Sequence, residues 1–326
     1  MKVIIYASTD VFYYSFYIKG LSDVFGKKSV KFSVKDFPAF PDRTFAVVIK
    51  DGQEEKKIII DAFDSPRLSK IAMEWCDVYG KVNYHKQRVS GCNQKKVIPI
   101  GPGFGIKIWN IFETVSKAFS NYQLARKQLN DKRNFFANYW RQFRRLPLYE
   151  YCKTHKVKKN YVFFISSIWQ KEKETNMYRS QFIEACLELK KVNFEGGFAP
   201  RSDGLTFGYE TIVTKRINLE EYIESLRKSV IVFNTPAVEK CHGWKLGEYL
   251  AMGKAILSTE HINELPSPLV HKKHIHYVQP DKTQIKEQIV TLISNEEYCN
   301  KLEENARSYF RKYLEPQAVI QNILSH

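Results

Sequence analysis

Lys245 and Glu248 stand three residues apart, just after a glycine, in the run HGWKLGEYLAMGKAILSTE. On a helix this spacing puts an ammonium and a carboxylate on one face. A helix that begins near Trp244 presents N–H groups with no helical carbonyl ahead of them. Gly243 lets a ligand approach the backbone there, and Lys245 adds a full positive charge, so the mouth of the helix is suited to phosphate. A carboxylate one turn deeper can accept the two hydroxyls of a ribose. Phosphate at the mouth with ribose below it is a grip for a nucleoside diphosphate. Ser258 and Thr259 close the next apolar run and bring two more hydroxyls to the same end.

These side chains need a scaffold, and the flanking pattern supplies one. Val230–Phe233 reads as a buried strand, Asn234–His242 as a polar loop, Trp244–Met252 as a helix stopped by Gly253, and Ala255–Thr259 as the next strand. Upstream, Tyr161–Ile165 is a strand run and Asn176–Lys191 an amphipathic helix. Val192–Glu195 is a strand that Gly196-Gly197 is expected to end. Asn218-Leu-Glu-Glu221 is a capping box opening another helix. The first half opens with a strand at Lys2–Ala7 and a helix at Phe12–Phe25. A hairpin follows around Asp51-Gly52, then strands at Val78–Tyr84 and Val97–Ile100, and an aromatic helical stretch broken at Pro147. Strands alternating with helices predict an α/β chain of two Rossmann-like, doubly wound blocks facing across a cleft, with ligands at the carboxyl ends of the strands. The boundaries predicted are 1–157, 158–303, and a C-terminal helical stretch 304–326 returning toward the first block.

Composition narrows the class. The chain has 326 residues, 44% hydrophobic and 26% charged, which excludes general disorder and a disulfide mini-protein. Its longest uncharged apolar run, Val97–Ile106, is half of what a bilayer-spanning helix needs. The N-terminus turns polar by Ser8, too early for a secretory signal. The cysteines at 76, 92, 152, 186, 241 and 299 form no C-x-x-C pair and read as core filler in a reducing, cytoplasmic setting.

The run EYLAMGKAILST resembles the acidic-helix block of GT-B glycosyltransferases, good over about 160–315 and architectural only before that. The resemblance implies transfer of a hexose-type sugar from a UDP- or GDP-sugar to a glycan or lipid-linked acceptor, without metal or other cofactor, in cell-surface polysaccharide synthesis. It implies that Glu248 holds the donor ribose and Lys245 the diphosphate, helped by a basic residue after the first strand of the second domain: Arg179 first, Lys171 second. Retaining members often carry a second glutamate eight residues earlier. Here that position is Lys240, and Glu239 is one residue off, so the stereochemical outcome stays open. An inverting transferase needs a base to take the acceptor proton. Asp10 and His85 follow strands of the first block, and Glu239 and His242 lie in the loop before the helix. Any of the four, or none of them, can be the base, with His242 and Glu239 also placed to touch the donor sugar.

The charge is the other unusual property. Lys and Arg exceed Asp and Glu to give +16. Between Lys117 and Lys159 twelve basic residues face only Asp131 and Glu150, interleaved with Phe119, Tyr122, Phe135, Phe136, Tyr139, Trp140 and Phe143. Such a stretch can lie peripherally on the anionic inner face of a membrane, or stack on nucleic-acid bases, the weaker reading. It can also be an ordinary packed helix. A GT-B-like epimerase and a basic nucleic-acid-binding protein are the alternatives from other classes. Gly101-Pro-Gly-Phe-Gly105 lacks the spacing of a dinucleotide loop and reads as a tight interdomain turn. His271-Lys-Lys-His274-Ile-His276 reads as a surface loop rather than a zinc site.

Overall fold

Eleven strands and eleven α-helices alternate through a computed structural model that describes residues 1–40, 44–88, 94–154 and 156–326. The chain divides into two units. The first comprises 1–150, 263–267 and 311–326; the second comprises 151–262 and 268–310. The first break falls a few residues before the 157/158 boundary suggested by the sequence.

The first unit is built on a six-stranded sheet. Its strands are β1 (Lys2–Tyr6), β2 (Val30–Ser33), β3 (Phe45–Asp51), β4 (Glu54–Asp61), β5 (Val78–Lys81) and β6 (Val97–Pro99), in the order β2-β1-β3-β4-β5-β6. Pairing is parallel except at β3, which runs antiparallel to both β1 and β4. The turn is Gly52-Gln53, one residue on from the Asp51-Gly52 expected, closed by the Asp51–Glu54 pair, and it forces the β3–β4 pairing, since a two-residue turn can only join antiparallel strands. Phe45–Val48 is an unbroken apolar run because β3 lies mid-sheet and is covered on both faces. Helix α1 (Ser15–Phe25) covers one face, with α2 (Lys70–Trp75), α3 (Ile111–Ala125) and α4 (Lys132–Phe143) also in this unit. The aromatic stretch breaks earlier than Pro147, because Asp131 caps a new helix by accepting from the Asn134 N–H. Short α5 (Leu148–Cys152) follows. The segment 101–105 is not an interdomain turn. It is buried inside this unit, where the Tyr17 hydroxyl donates to the Gly101 carbonyl and accepts from the Gly103 N–H.

The second unit winds around a parallel sheet. Its elements are β7 (Tyr161–Ser167), α6 (Lys173–Glu188), β8 (Asn193–Ala199), α7 (Leu219–Lys228), β9 (Ile231–Asn234), α8 (Trp244–Met252), β10 (Ala255–Ser258), β11 (His276–Tyr277), α9 (Lys282–Ile293) and α10 (Glu296–Tyr309). β8 pairs with β7, and β9, β10 and β11 pair in series. β7 and β9 are neighbours: Val230 N–H donates to the Tyr161 carbonyl at their starts, and Arg179 bridges their far ends. The two-stranded β8-β7 sheet and the three-stranded β9-β10-β11 sheet thus lie side by side in the order β8-β7-β9-β10-β11, and the winding reverses between β7 and β9. Phe164, Phe182 and Phe233 anchor the core, the last two stacked 4.2 Å apart.

Gly196 and Gly197 do not end β8; they lie inside it at φ +136° and +139°. A Cβ on Gly196 would come 1.8 Å from the Phe164 carbonyl oxygen, so only glycine lets β8 approach β7 here. The last helix, α11 (Pro316–Leu324), belongs to the first unit and packs on α1. Cys76, Cys186, Cys241 and Cys299 are buried free thiols and Cys152 a half-buried one, while Cys92 lies outside the described residues. No described helix is long and apolar enough to cross a membrane.

Candidate active site

In a parallel wound sheet, the strand ends diverge where the order reverses and leave a crevice there. The second unit gathers its charge at that place. Arg179, seven residues into α6, is 6% exposed. Its Nε donates to Thr235 Oγ1 at 3.2 Å and its Nη1 to the Ser167 carbonyl at 3.0 Å, tying the ends of β9 and β7 together. Burial brings its pKa down to about 10, so it remains a cation at neutral pH.

Lys245 enters from the first turn of α8. Its ammonium donates to the Ile165 carbonyl on β7 and sits 4.8 Å from the centroid of the Phe164 ring. Burial first, and then the nearby Arg179 guanidinium, pull its pKa down to about 7, against a smaller upward pull from Glu248. The buried Arg179 and the half-buried Lys245 thus share one corner with the Glu248 carboxylate. An anion placed there relieves their repulsion and restores the Lys245 proton.

Glu248 is brought to the same corner but is 4% exposed, and its Oε2 accepts from the Tyr222 hydroxyl of α7 at 3.0 Å. Burial and this carboxylate raise the Tyr222 pKa well above its ordinary value, so the phenol stays a donor. In this conformation Glu248 acts as counter-charge to Lys245. A ligand hydroxyl would have to displace the Tyr222 hydroxyl to reach this oxygen.

Gly243 caps α8 with extended backbone, φ −75° and ψ 161°. Neither conformation nor crowding requires a glycine: a Cβ there would meet only Ala237 Cβ, at an ordinary 3.6 Å. The residue makes sense when something outside the chain approaches this backbone. Gly243→Ala is therefore expected to lower the melting temperature by only a few degrees, since alanine is a poorer N-cap by about 1 kcal/mol or less. It should weaken nucleotide binding about tenfold by calorimetry. A variant that binds as the parent does would remove Gly243 from the site.

A second polar cluster lies at the ends of β9, β10 and β11. Asn234 Nδ2 donates to Ser258 Oγ at 3.1 Å and lies 2.9 Å from His261 Nε2; His261 Nδ1 is 3.1 Å from the Tyr277 hydroxyl. Burial, then the adjacent His242 ring 5.3 Å away, push the His261 pKa down to about 3. The neutral ring accepts from Asn234 at Nε2, which places its proton on Nδ1, toward Tyr277. Ser258 is fully buried and its hydroxyl donates to the Thr259 carbonyl. Thr259 is also buried, but its Oγ1 has no partner among the described residues. His242 is buried beside this cluster.

The remaining sequence candidates fall elsewhere. Lys171 and Glu239 are exposed, and Glu239 adopts left-handed backbone at φ +51° with its N–H donating to Glu172. Asp10 and His85 belong to the first unit. Asp10 Oδ1 accepts from the Phe12 and Tyr13 N–H groups, both at 3.0 Å, and the residue lines a cavity of about 250 Å³ with Asn130, Asn134 and Asn138. His85 is half-buried, and its Nδ1 has no partner among the described residues. Sequence reasoning passed over Asn234, Thr235, Tyr222 and His261. The signal for the first two was present: Asn234-Thr235 closes β9 as Ser258-Thr259 closes β10.

No protein-family profile matches the sequence, and no curated protein does. Solved structures do resemble it. A glycosyltransferase from Rickettsia africae shares 12% identity over 78% of this chain, with a TM-score of 0.48; the match spans 64% of that protein's length. HepE of Anabaena, solved with UDP and glucose, shares 10% identity over 82% of this chain and 70% of its own, TM-score 0.46. UDP-GlcNAc 2-epimerase from Neisseria meningitidis, bound to UDP-GlcNAc, shares 13% over 79% and 64%, TM-score 0.42.

Proposed function

We propose that the second unit binds a UDP- or GDP-linked sugar and that the chain transfers a hexose from it to a glycan or lipid-linked acceptor, in cell-surface polysaccharide synthesis. One observation carries this reading: two cations, the buried Arg179 and the half-buried Lys245, converge at the switch point of a parallel sheet beside a helix mouth that opens on an unneeded glycine. In it the diphosphate lies against Arg179, Lys245 and the first turn of α8. The ribose lies on Glu248, and the side of Thr259 and His242 faces the sugar. The bond from the anomeric carbon to the diphosphate oxygen breaks as the bond to the acceptor oxygen forms. The acceptor proton passes to a base, for which Asp10, His85 and Glu239 stand as candidates, or to the departing diphosphate. The two cations neutralise charge on the leaving group, the role this chemistry needs filled, so the reading includes no metal. The enzyme works peripherally at the anionic inner face of a membrane, through the basic stretch 117–159.

The test is a melting-temperature screen with UDP, GDP, ADP and CMP, followed by donor turnover with and without acceptor glycans, on the parent and on Glu248→Ala. A ligand bound only by the native state raises the melting point. UDP or GDP is expected to do so, and Glu248→Ala to weaken the effect at least tenfold in apparent affinity. No shift with any nucleotide would overturn the proposal. Conversion of the sugar with donor alone would make the chain an epimerase instead.

A further inference from the structure

The membrane reading given above, on which this inference builds, names a stretch of sequence; the structure narrows it to one face. α3 and α4 form an antiparallel pair, joined through the Asp131 cap, with Phe119 of α3 against Phe136 of α4 at 5.6 Å. Their inner faces are core: Ala118, Ala125, Phe135 and Tyr139 are buried. Their outer faces are also apolar. Phe112 is 83% exposed, Phe119 59% and Trp140 53%, with Val115 exposed between the first two. Phe112, Val115 and Phe119 fall at helical spacing along α3, and Phe136, Trp140 and Phe143 do so along α4, where Trp140 and Phe143 lie 5.4 Å apart. A few isolated exposed apolar residues are ordinary on a soluble surface, but a two-helix aromatic face is not.

The surroundings of this face say what covers it. Between Lys107 and Arg145 there are nine basic residues and two acids. Both acids are engaged locally, Glu113 in the capping box of α3 with Asn110 and Asp131 as the cap of α4. Arg126, Lys127, Lys132 and Arg133 are exposed at the end where the helices join. At the other end the Lys107 ammonium sits 4.3 Å over the Phe143 ring. Aromatic rings flanked by cations fit the interfacial layer of an anionic bilayer, where rings enter the acyl boundary and ammonium and guanidinium groups meet lipid phosphates. We infer that the α3–α4 face docks the chain on anionic lipid, with Phe112, Phe119 and Trp140 as the inserting side chains. The face begins upstream of residue 117, and Phe135 and Tyr139 take no part in it.

The experiment is co-sedimentation of the full chain with vesicles of phosphatidylcholine alone or with about one third phosphatidylglycerol, at low and high salt. The parent is expected to bind the anionic vesicles only, with affinity falling as salt rises. Phe112→Ser with Phe119→Ser should lose at least tenfold while melting as the parent does, since both rings are exposed. Lys127→Glu with Arg133→Glu should lose about fivefold per charge or more. Failure of the parent to sediment at low salt, binding unchanged in both variants, tighter binding to an oligonucleotide, or concentration-dependent dimerisation that the serine variant abolishes would each overturn the inference. The UDP or GDP melting shift, read on the same samples, keeps the two proposals apart: it should persist in the serine variant, and its absence beside intact vesicle binding would count against the nucleotide site alone.

Discussion

Lys245→Met is expected to weaken nucleotide binding roughly thirty- to a hundredfold while leaving the fold in place. A hydrogen bond to a charged group contributes about 1.5–3 kcal/mol, and this one lies in a half-buried corner. The apo protein should lose little. The Ile165 carbonyl loses a donor and Glu248 a counter-charge, but an ammonium held partly out of water beside Arg179 is removed with them and Arg179 stays as a cation in the same corner, so the changes oppose each other. The pH dependence is more specific. With its pKa near 7 in the folded chain and about 10.4 unfolded, Lys245 leaves the unfolded state binding more protons between these values. Folding stability contributed by this residue therefore rises with pH from about 7 toward 10.4 and is lowest below 7, where both states are charged. Anion binding runs the other way. In the proposed site the diphosphate takes the ammonium form, so binding above pH 7 is expected to take up a proton and affinity to fall as pH rises. Between about pH 7.5 and 9 the terminal phosphate is already ionised and Lys245 dominates the change. Calorimetry in two buffers of different ionisation enthalpy should show uptake approaching one proton in the parent and none in the methionine variant. Affinity independent of pH over that window would sink this role for Lys245.

The second large effect concerns the fold of the first unit. Lys81 is fully buried at the end of β5 and pairs with Asp61 at the end of β4 at 2.8 Å. The other carboxylate oxygen accepts from the Tyr79 hydroxyl at 2.6 Å, and Oδ1 also accepts from the Phe63 N–H. Lys81→Met leaves a buried carboxylate without its cation, and removing one member of such a pair costs about 3–5 kcal/mol. The transition of the first unit should fall by roughly 10 °C. Replacing both members by apolar residues should recover part of this, because the uncompensated charge is then gone. A single variant that melts within 2–3 °C of the parent, by roughly the same conversion, would show that Asp61 is neutralised by other means.

How far the sequence discloses the site differs from residue to residue. The Lys245–Glu248 spacing, the Asn218 capping box and the Gly253 stop depend on local geometry that a helix repeats every turn, and the structure carries all three. The burial of Glu248 against Tyr222 joins residues 26 apart on different helices, and no local period encodes it. The periodicity starts a helix at Asn176, which puts Arg179 in its first turn. Arg179 lies nearly two turns into α6 because the helix begins at Lys173 without a side-chain cap to mark it. Gly196-Gly197 shows the same limit in reverse. The pair reads as a breaker when only the chain neighbours are considered, and becomes a requirement of β8 once Phe164 of β7 lies beside it. Asp61 and Lys81 oppose each other in the β4–β5 register, which fixes their pairing only after the strands have been paired.

The first unit draws its last helix from the far end of the described chain. α11 lies so close to α1 that a Cβ on Gly20 would come 2.3 Å from the Pro316 carbonyl oxygen. During translation the amino-terminal sheet can form early, but its α1 seat stays uncovered until residues 316–324 leave the ribosome, long after the other unit has been made. Completion then runs opposite to synthesis, and protease challenge of stalled nascent chains should find the early portion gaining resistance only when that final segment has emerged.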